Sequence, residues 1–153
     1  MTKHYSNVNL VNKTNKTISE IKFLHRYDSD VYNYGDKDIL EKEKPYLICV
    51  AEYWTGFLRV GVDYWWIQFK LENKTYTCKA NFFCTLMSED GGKDVTVEVH
   101  TDKMHIKPAK SSSCYVGLYE PSLLAEQFEQ ELILSGIATE PQPASAFKKC
   151  NCD

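Results

Sequence analysis

Aromatic and basic side chains crowd the middle of the chain, where YWTGFLRV (53–60) is followed by DYWWIQFKL (63–71). If the two segments are paired strands, side-chain alternation predicts one surface with these candidate binding residues: Tyr53, Phe57, Arg59, Tyr64, Trp66 and Lys70. Tyr and Trp suit interfaces because their rings combine an apolar body with a polar group. Such a surface could sit among lipid headgroups, with Arg59 and Lys70 facing anions, or could stack on sugar rings. It could equally be covered by another part of the same molecule.

The same two segments predict a β-hairpin that turns at Gly61-Val62. Glycine in the first central position suits a two-residue type II′ turn, and this register places Trp54 opposite Phe69. A second turn at Asn73-Lys74 would bring a third strand back beside the second. The inward face of the three strands would then consist of these side chains: Trp65, Ile67, Phe69, Leu71, Tyr76, Cys78, Ala80 and Phe82.

Short alternating segments with polar turns between them continue along most of the chain. They predict an all-β domain over residues 6–120, folded as an antiparallel β-sandwich. Further strands are expected at 8–11, 18–27, 95–100, 103–107 and 114–120. The side chains expected to point inward from two of these strands are Ile21, Phe23 and His25, and Val95, Val97 and Val99.

The composition changes after residue 120. Helix-forming residues between Ser122, a suitable N-cap, and Gly136 predict one C-terminal helix over residues 121–136. Its apolar stripe would dock on the sandwich or on a second copy of the chain, which would make a homo-oligomer. Two prolines and the absence of any periodicity predict a flexible, Cys-containing tail over residues 137–153.

An acidic, tyrosine-rich stretch, DSDVYNYGDKD (28–38), is expected to be a loop. Its oxygen-bearing side chains are Asp28, Asp30, Asn33, Asp36 and Asp38. Hard oxygen ligands of this kind can hold Ca²⁺, but their order does not match an EF-hand loop. A solvated acidic loop without a cation therefore remains the alternative.

Signals of catalysis are absent from the sequence. None of the HExxH, GxSxG, P-loop or GxGxxG patterns occurs, and nothing in the sequence supports a nucleophile pair of Cys114 with His100 or His105. The spacing of His100 and His105 would put them on opposite faces of one straight strand, which argues against a metal site. We therefore expect a non-enzymatic protein with no cofactor and no metal.

The six cysteines show no regular spacing. Cys78 and Cys84 would lie ~20 Å apart on one continuous strand, too far to form a disulfide. The cysteines are therefore expected to serve as small buried apolar residues rather than as a disulfide framework.

The overall composition limits the classes of partner and compartment. A formal net charge of −3 over 153 residues argues against a nucleic-acid-binding protein. The first residues lack the apolar run of a secretory signal, and no long apolar segment follows. These features predict a protein that is cytoplasmic as synthesised, with release by another route left open.

Six short motifs resemble a known family: LVNKT, HRYDSDVYN, YWTGF, DYWWI, TCKANFFC and KSSSC. Together they are similar to the up-regulated-in-Daf domain family, and the resemblance implies a compact all-β domain without implying a mechanism. A looser architectural likeness is to aegerolysins and actinoporin-like cytolysins, whose aromatic clusters engage membrane lipid. That likeness favours a lipid-binding module of a defence or toxin type. The alternative function is a soluble, lectin-like sandwich that binds glycans or proteins.

Overall fold

Two β-sheets packed face to face form a sandwich in the computed structural model, which describes residues 2–29, 31–56, 61–121 and 147–149. The strands are β1 (Thr2–Asn12), β2 (Ile18–Tyr27), β3 (Val31–Leu40), β4 (Tyr46–Thr55), β5 (Asp63–Leu71), β6 (Lys74–Thr77), β7 (Val95–Val99), β8 (Lys103–Lys107), β9 (Cys114–Gly117) and β10 (Phe147–Lys149). A 3-10 turn at Ser88–Asp90 is the one helical element among the described residues, and none of them forms a helix long and apolar enough to span a bilayer. The all-β prediction is confirmed.

The strand order is β4-β1-β7-β8-β9 in the first sheet and β10-β3-β2-β5-β6 in the second. Most neighbours are antiparallel, but β1 pairs in parallel with β7, and β10 pairs in parallel with β3. The sandwich is therefore confirmed, but its sheets are mixed rather than antiparallel throughout. Residues 13–94 connect β1 to β7 and pass through the second sheet, and a connection of that length allows the two strands to run parallel.

Alternation along the strands builds the core between the sheets, as predicted. In the second sheet β2 buries Ile21, Phe23 and His25, and in the first sheet β7 buries Val95, Val97 and Val99. When every second side chain is apolar, burying that face of the sheet removes the most apolar surface from water and stabilises the fold most. The inward faces of these two strands are therefore confirmed.

The predicted central hairpin does not form. Strand β4 belongs to the first sheet, where Trp54 pairs with Lys3 of β1, whereas β5 belongs to the second sheet, where Trp66 pairs with Leu24 of β2. Gly61 has a different role from the one predicted. A Cβ at this position would lie 2.0 Å from the ring of Tyr27, so glycine is needed for close packing against that ring.

The β5–β6 turn lies one residue earlier than predicted. Glu72 and Asn73 both have positive φ (51° and 65°), which is the pattern of a two-residue type I′ turn. Phe69 consequently pairs with Tyr76. This shifts the register by two residues, which keeps Tyr76 on its predicted face. The predicted strand is shorter than expected, because β6 ends at Thr77 and does not include Cys78, Ala80 or Phe82.

The acidic stretch at 28–38 is mostly strand rather than loop. Strand β3 begins at Val31, buries Asn33 and leaves Asp36 and Asp38 exposed. A Cβ on Gly35 would lie 1.9 Å from the backbone oxygen of Ile48, so the two sheets approach closely where β3 meets β4. Only a glycine fits at such a separation.

The helix predicted at 121–136 lies outside the described residues apart from Pro121. So does the tail predicted at 137–153, apart from Phe147–Lys149. These three residues form β10 beside residues 32–34 of β3. The flexible tail stays a prediction. Oligomerisation through the helix stays a prediction.

A buried hydrogen-bond network joins four strands and one loop. The Nε2 of His25 lies 2.7 Å from Oδ1 of Asp63, and its Nδ1 lies 2.9 Å from Oδ1 of Asn33. Asn33 Oδ1 also accepts a hydrogen bond from the Glu52 backbone, which fixes the orientation of the amide. The second oxygen of Asp63 accepts one from the Leu86 backbone. Both His25 nitrogens thus lie within hydrogen-bond distance of a side-chain oxygen.

Removing the Asp63 carboxylate should therefore destabilise the protein strongly. Asp63→Ala leaves the Leu86 N–H and His25 Nε2 buried without an acceptor, and the expected loss is about 3–5 kcal/mol in the free energy of unfolding. Asp63→Asn keeps a polar side-chain atom beside His25 Nε2 and another beside Leu86 N. Its loss in the free energy of unfolding should be markedly smaller. Urea denaturation at neutral pH measures both values.

The matched control is Asp94→Ala, because Asp94 makes one exposed hydrogen bond, to Asn9. It should change the free energy of unfolding by less than about 1 kcal/mol. Equal losses for Asp63→Ala and Asp94→Ala would show that the network does not hold the fold.

Candidate functional site

The aromatic surface predicted from the sequence is not exposed. Tyr53 is 0% exposed and Trp66 is 2% exposed. The hydroxyl of Tyr53 donates to the backbone oxygen of Met87, and its ring stacks on His4. Trp66 lies on the face of β5 opposite to Trp65, yet that face is covered there too, since its cross-strand neighbour Leu24 is also buried. The prediction that these two rings face solvent is wrong.

Of the other predicted binding residues, the structure describes Tyr64 and Lys70, and these two contact different partners. Arg26 lies over the ring of Tyr64, with its guanidinium carbon 4.1 Å from the ring centroid. Lys70 forms an exposed ion pair with Glu20 at 2.8 Å. Phe57 and Arg59 lie outside the described residues. Tyr53 and Tyr64 belong to different sheets, so the shared face expected from a hairpin does not exist.

Exposed apolar side chains are found instead at one end of the sandwich, which we call the loop end (residues 54–56, 61–62 and 81–90). Asp63 joins its segments, since its backbone oxygen accepts a hydrogen bond from Cys84 N and its carboxylate accepts one from Leu86 N. In the segment 81–90, Phe83 is 60% exposed and Met87 is 54% exposed. Most large apolar side chains of this domain are buried, so two on one loop mark this surface as unusual.

A groove of about 260 Å³ runs across the loop end. It is lined by Trp54, Thr55, Gly56, Gly61 and Thr85–Ser88. The side chain of Lys3 adjoins it, with Nζ 5.3 Å from the Trp54 ring centroid and 5.2 Å from that of Tyr5. The groove thus combines a tryptophan ring, a methionine and a nearby cation.

Asp90 anchors the loop that carries Met87. Its carboxylate accepts hydrogen bonds from the backbone N–H groups of Met87, Lys110 and Ser111, and also from the Ser111 hydroxyl. Burial works to raise the pKa of Asp90, but these hydrogen bonds outweigh it and hold the pKa below its usual value. The charged carboxylate therefore holds the loop in place at neutral pH.

A second groove, of about 390 Å³, lies at the edge of the sandwich where β9 ends. It is lined by Lys79, Phe82, Tyr115–Gly117 and Tyr119. Tyr115 is 70% exposed beside it, and Lys103 lies over this ring at 5.5 Å. An exposed ring with polar neighbours is suited to stacking on a flat ligand.

One cluster with metal-ligating side chains occurs among the described residues: Glu98, His100 and His105, on the outer face of the first sheet. The expectation that the two histidines face opposite ways is wrong, because a turn reverses the chain between them and they do not lie on one strand. The acidic side chains of Asp28, Asp36 and Asp38 do not form such a cluster in the described part of the chain.

A family model described as "Up-Regulated in long-lived daf-2" matches residues 2–85. The chain belongs to this family. No curated protein matches the chain. The matched segment spans β1–β6 and includes Trp54 and Phe83 of the loop end, whereas Met87 and the Glu98 cluster lie beyond it. The resemblance seen in the sequence is thus confirmed for the family, while the likeness to cytolysins stays a prediction.

The four cysteines in the described part of the chain form two groups. Cys84 and Cys114 form a disulfide, so the expectation of small buried apolar residues rather than a disulfide framework is wrong for these two. No sequence pattern indicates this pair, because the two residues are 30 positions apart and only the tertiary fold brings them together. Cys49 and Cys78 are buried free thiols, as expected, and burial raises the pKa of Cys78 to about 12 and that of Cys49 further. Neither of these two thiols is suited to act as a nucleophile.

The burial of Tyr53 can be tested by titration. Burial raises its pKa to about 12. The folded protein holds this proton more tightly than the unfolded chain does, so the free energy of unfolding should fall as the pH rises from about 10 to about 12. Ultraviolet absorbance of the wild type minus Tyr53→Phe should show the tyrosinate forming near the upper value. In denaturant, the same absorbance difference between wild type and Tyr53→Phe should show the tyrosinate forming near pH ~10. A folded protein in which Tyr53 titrates near this lower pH would contradict the burial of Tyr53.

Proposed function

We propose that the protein is a non-enzymatic recognition module that binds membrane lipid through the loop end. The observation that carries the proposal is the exposure of Phe83 and Met87 on one anchored loop beside the Trp54 groove. The lipid class of ligand is the one expected from the sequence, but the surface is different, since Tyr53 and Trp66 are buried.

The energetics favour a reversible peripheral contact. Full burial of one Phe or Met side chain contributes about 1.5–3 kcal/mol, and Phe83 and Met87 can each gain part of this in the acyl region. A cation near an anionic surface adds about 1 kcal/mol, and Lys3 lies beside the groove. Trp54 can occupy the headgroup level, where amphipathic rings accumulate.

The loop is also held in a defined shape, which lowers the entropic cost of binding. Asp90 fixes it through four hydrogen bonds. The buried Tyr53 hydroxyl donates a further one to the backbone oxygen of Met87. The disulfide joins Cys84 of this loop to Cys114, where β9 begins. Disulfides form in oxidising compartments, which supports a role for the protein after release from the cell.

Co-sedimentation with vesicles tests the proposal. The wild-type protein should bind phosphatidylcholine vesicles that contain phosphatidylserine, and the double variant Phe83→Ser, Met87→Ser should bind about tenfold more weakly or worse. A tenfold loss corresponds to about 1.4 kcal/mol, which is close to one lost side-chain burial.

Tyr115→Ser is the matched control, because it removes an exposed ring elsewhere and should bind vesicles as the wild type does. Thermal melts confirm that each variant is folded. Failure of the wild type to bind any vesicle in a panel of anionic and neutral lipids, or unchanged binding by the double variant, would refute the proposal.

Glycan binding is a second candidate function, favoured by the exposed Tyr115 ring over the groove at the end of β9. If the protein is lectin-like, a glycan array without lipid should give saturable signals that Tyr115→Ala abolishes. Phe83→Ser should then retain them. An array without signals, or signals that survive Tyr115→Ala, would exclude this groove as the sugar site.

A further inference from the structure

The β7–β8 hairpin brings three metal-ligating side chains together on the outer face of the first sheet. Glu98 of β7 lies directly opposite His105 of β8, and His100 follows two positions after Glu98. His100 N donates to Lys103 O at the turn, which closes the hairpin and keeps His100 beside the strands. Residues opposite each other across a pair, and residues two apart on an extended chain, share one face.

The three ligand atoms are already near one another. Glu98 Oε1 lies 3.2 Å from His100 Nε2 and 3.8 Å from His105 Nδ1. All three atoms lie within 4.8 Å of one another. In a tetrahedral site with metal–ligand bonds of about 2.0–2.1 Å, neighbouring ligand atoms lie ~3.4 Å apart. Two of the three separations are thus close to those of a bound ion, and small rotations of the histidine rings would adjust the third.

The two oxygens of Glu98 face different partners. Oε1 faces the histidines, whereas Oε2 lies 3.5 Å from Lys107 Nζ. A cation bound at Oε1 would leave the contact of Lys107 with Oε2 in place. Such a contact behind a ligating carboxylate orients it toward the metal.

We propose that Glu98, His100 and His105 bind a divalent transition-metal ion of the Zn²⁺ type, with a further coordination position open to solvent. Two imidazoles and one carboxylate suit Zn²⁺, Co²⁺, Ni²⁺ or Cu²⁺ better than Ca²⁺ or Mg²⁺, which prefer all-oxygen sites. The site is independent of the loop end and uses none of its residues.

The charge around Glu98 also affects how tightly an ion would bind. Lys107 carries a positive charge close to the cluster, so binding should be of moderate strength.

The experiment must separate this cluster from the cysteines near the end of the chain, because Cys150 and Cys152 form a Cys-x-Cys pair that can take soft metals. The protein should be untagged and should carry Cys150→Ser and Cys152→Ser. Zn²⁺ binding is measured by calorimetry, and Co²⁺ binding is measured by its visible absorption, which reports the coordination of the ion directly.

We expect one ion per chain. His100→Gln and His105→Gln should each weaken binding at least about tenfold, since even groups behind the ligands change metal affinity by about 10–100-fold. Glu98→Gln should do the same while retaining a hydrogen-bonding side chain. His4→Gln is the matched control, because His4 bonds Thr55 in a different part of the first sheet, and it should leave affinity unchanged.

Thermal melts establish that each variant is folded, and the partly exposed positions of the three side chains favour this outcome. Absence of binding at millimolar Zn²⁺, or equal affinity in the wild type and the two histidine variants, would refute the metal site. The three side chains would then interact only with one another. Loss of binding on replacing the two cysteines alone would assign the metal to the tail and overturn the proposal.

Discussion

The buried contact between His25 and Asp63 is the constraint on which much of the sandwich depends. It joins β2 to the start of β5, and its two flanking hydrogen bonds extend through Asn33 to β4 and through Leu86 to the loop end. Buried polar groups are costly unless every partner is in place, so this network selects one arrangement of these segments over others. The same carboxylate that contacts His25 thereby also fixes the Leu86 backbone in the loop between Phe83 and Met87.

The two sheets are joined at both sides of the sandwich, which limits their relative movement. On one side Gly35 lets β3 approach the backbone of β4 closely, and on the other Thr77 exchanges two backbone hydrogen bonds with Tyr119. The Cys84–Cys114 disulfide adds a covalent link between the loop end and β9. The exposed apolar side chains of the loop therefore extend from a frame that is held by sterics, hydrogen bonds and a covalent bond together. Such a frame favours recognition, because the loop loses its conformational entropy during folding and loses little more on binding.

The sequence predicted which faces the strands bury much better than which strands pair. Phe23 and Val97 obey alternation, a local property that follows from the geometry of an extended chain. Pairing depends on contacts between distant segments. The turn signal at Gly61-Val62 therefore favours one hairpin, although Trp54 pairs with Lys3 and Trp66 with Leu24. Alternation also cannot tell an exposed outer face from a covered one, so it predicts an exposed Trp66. Phe83 and Met87 lie outside the strands, and no periodic pattern indicates that both are exposed.

The histidine cluster shows the same limit in a form that bears on chemistry. His100 and His105 differ by an odd number of residues, which implies opposite faces only if no turn intervenes. The turn reverses the chain between them, so cross-strand pairing, rather than spacing, determines that both face Glu98. The inward positions of the same hairpin are Val97, Val99, Met104 and Ile106, all buried. Because the apolar side chains on the inner face hold the hairpin in the sandwich, the outer face can carry two imidazoles and a carboxylate without weakening the core. Glu98, His100 and His105 thus take no part in the core, and they lie beyond the segment that the family model matches.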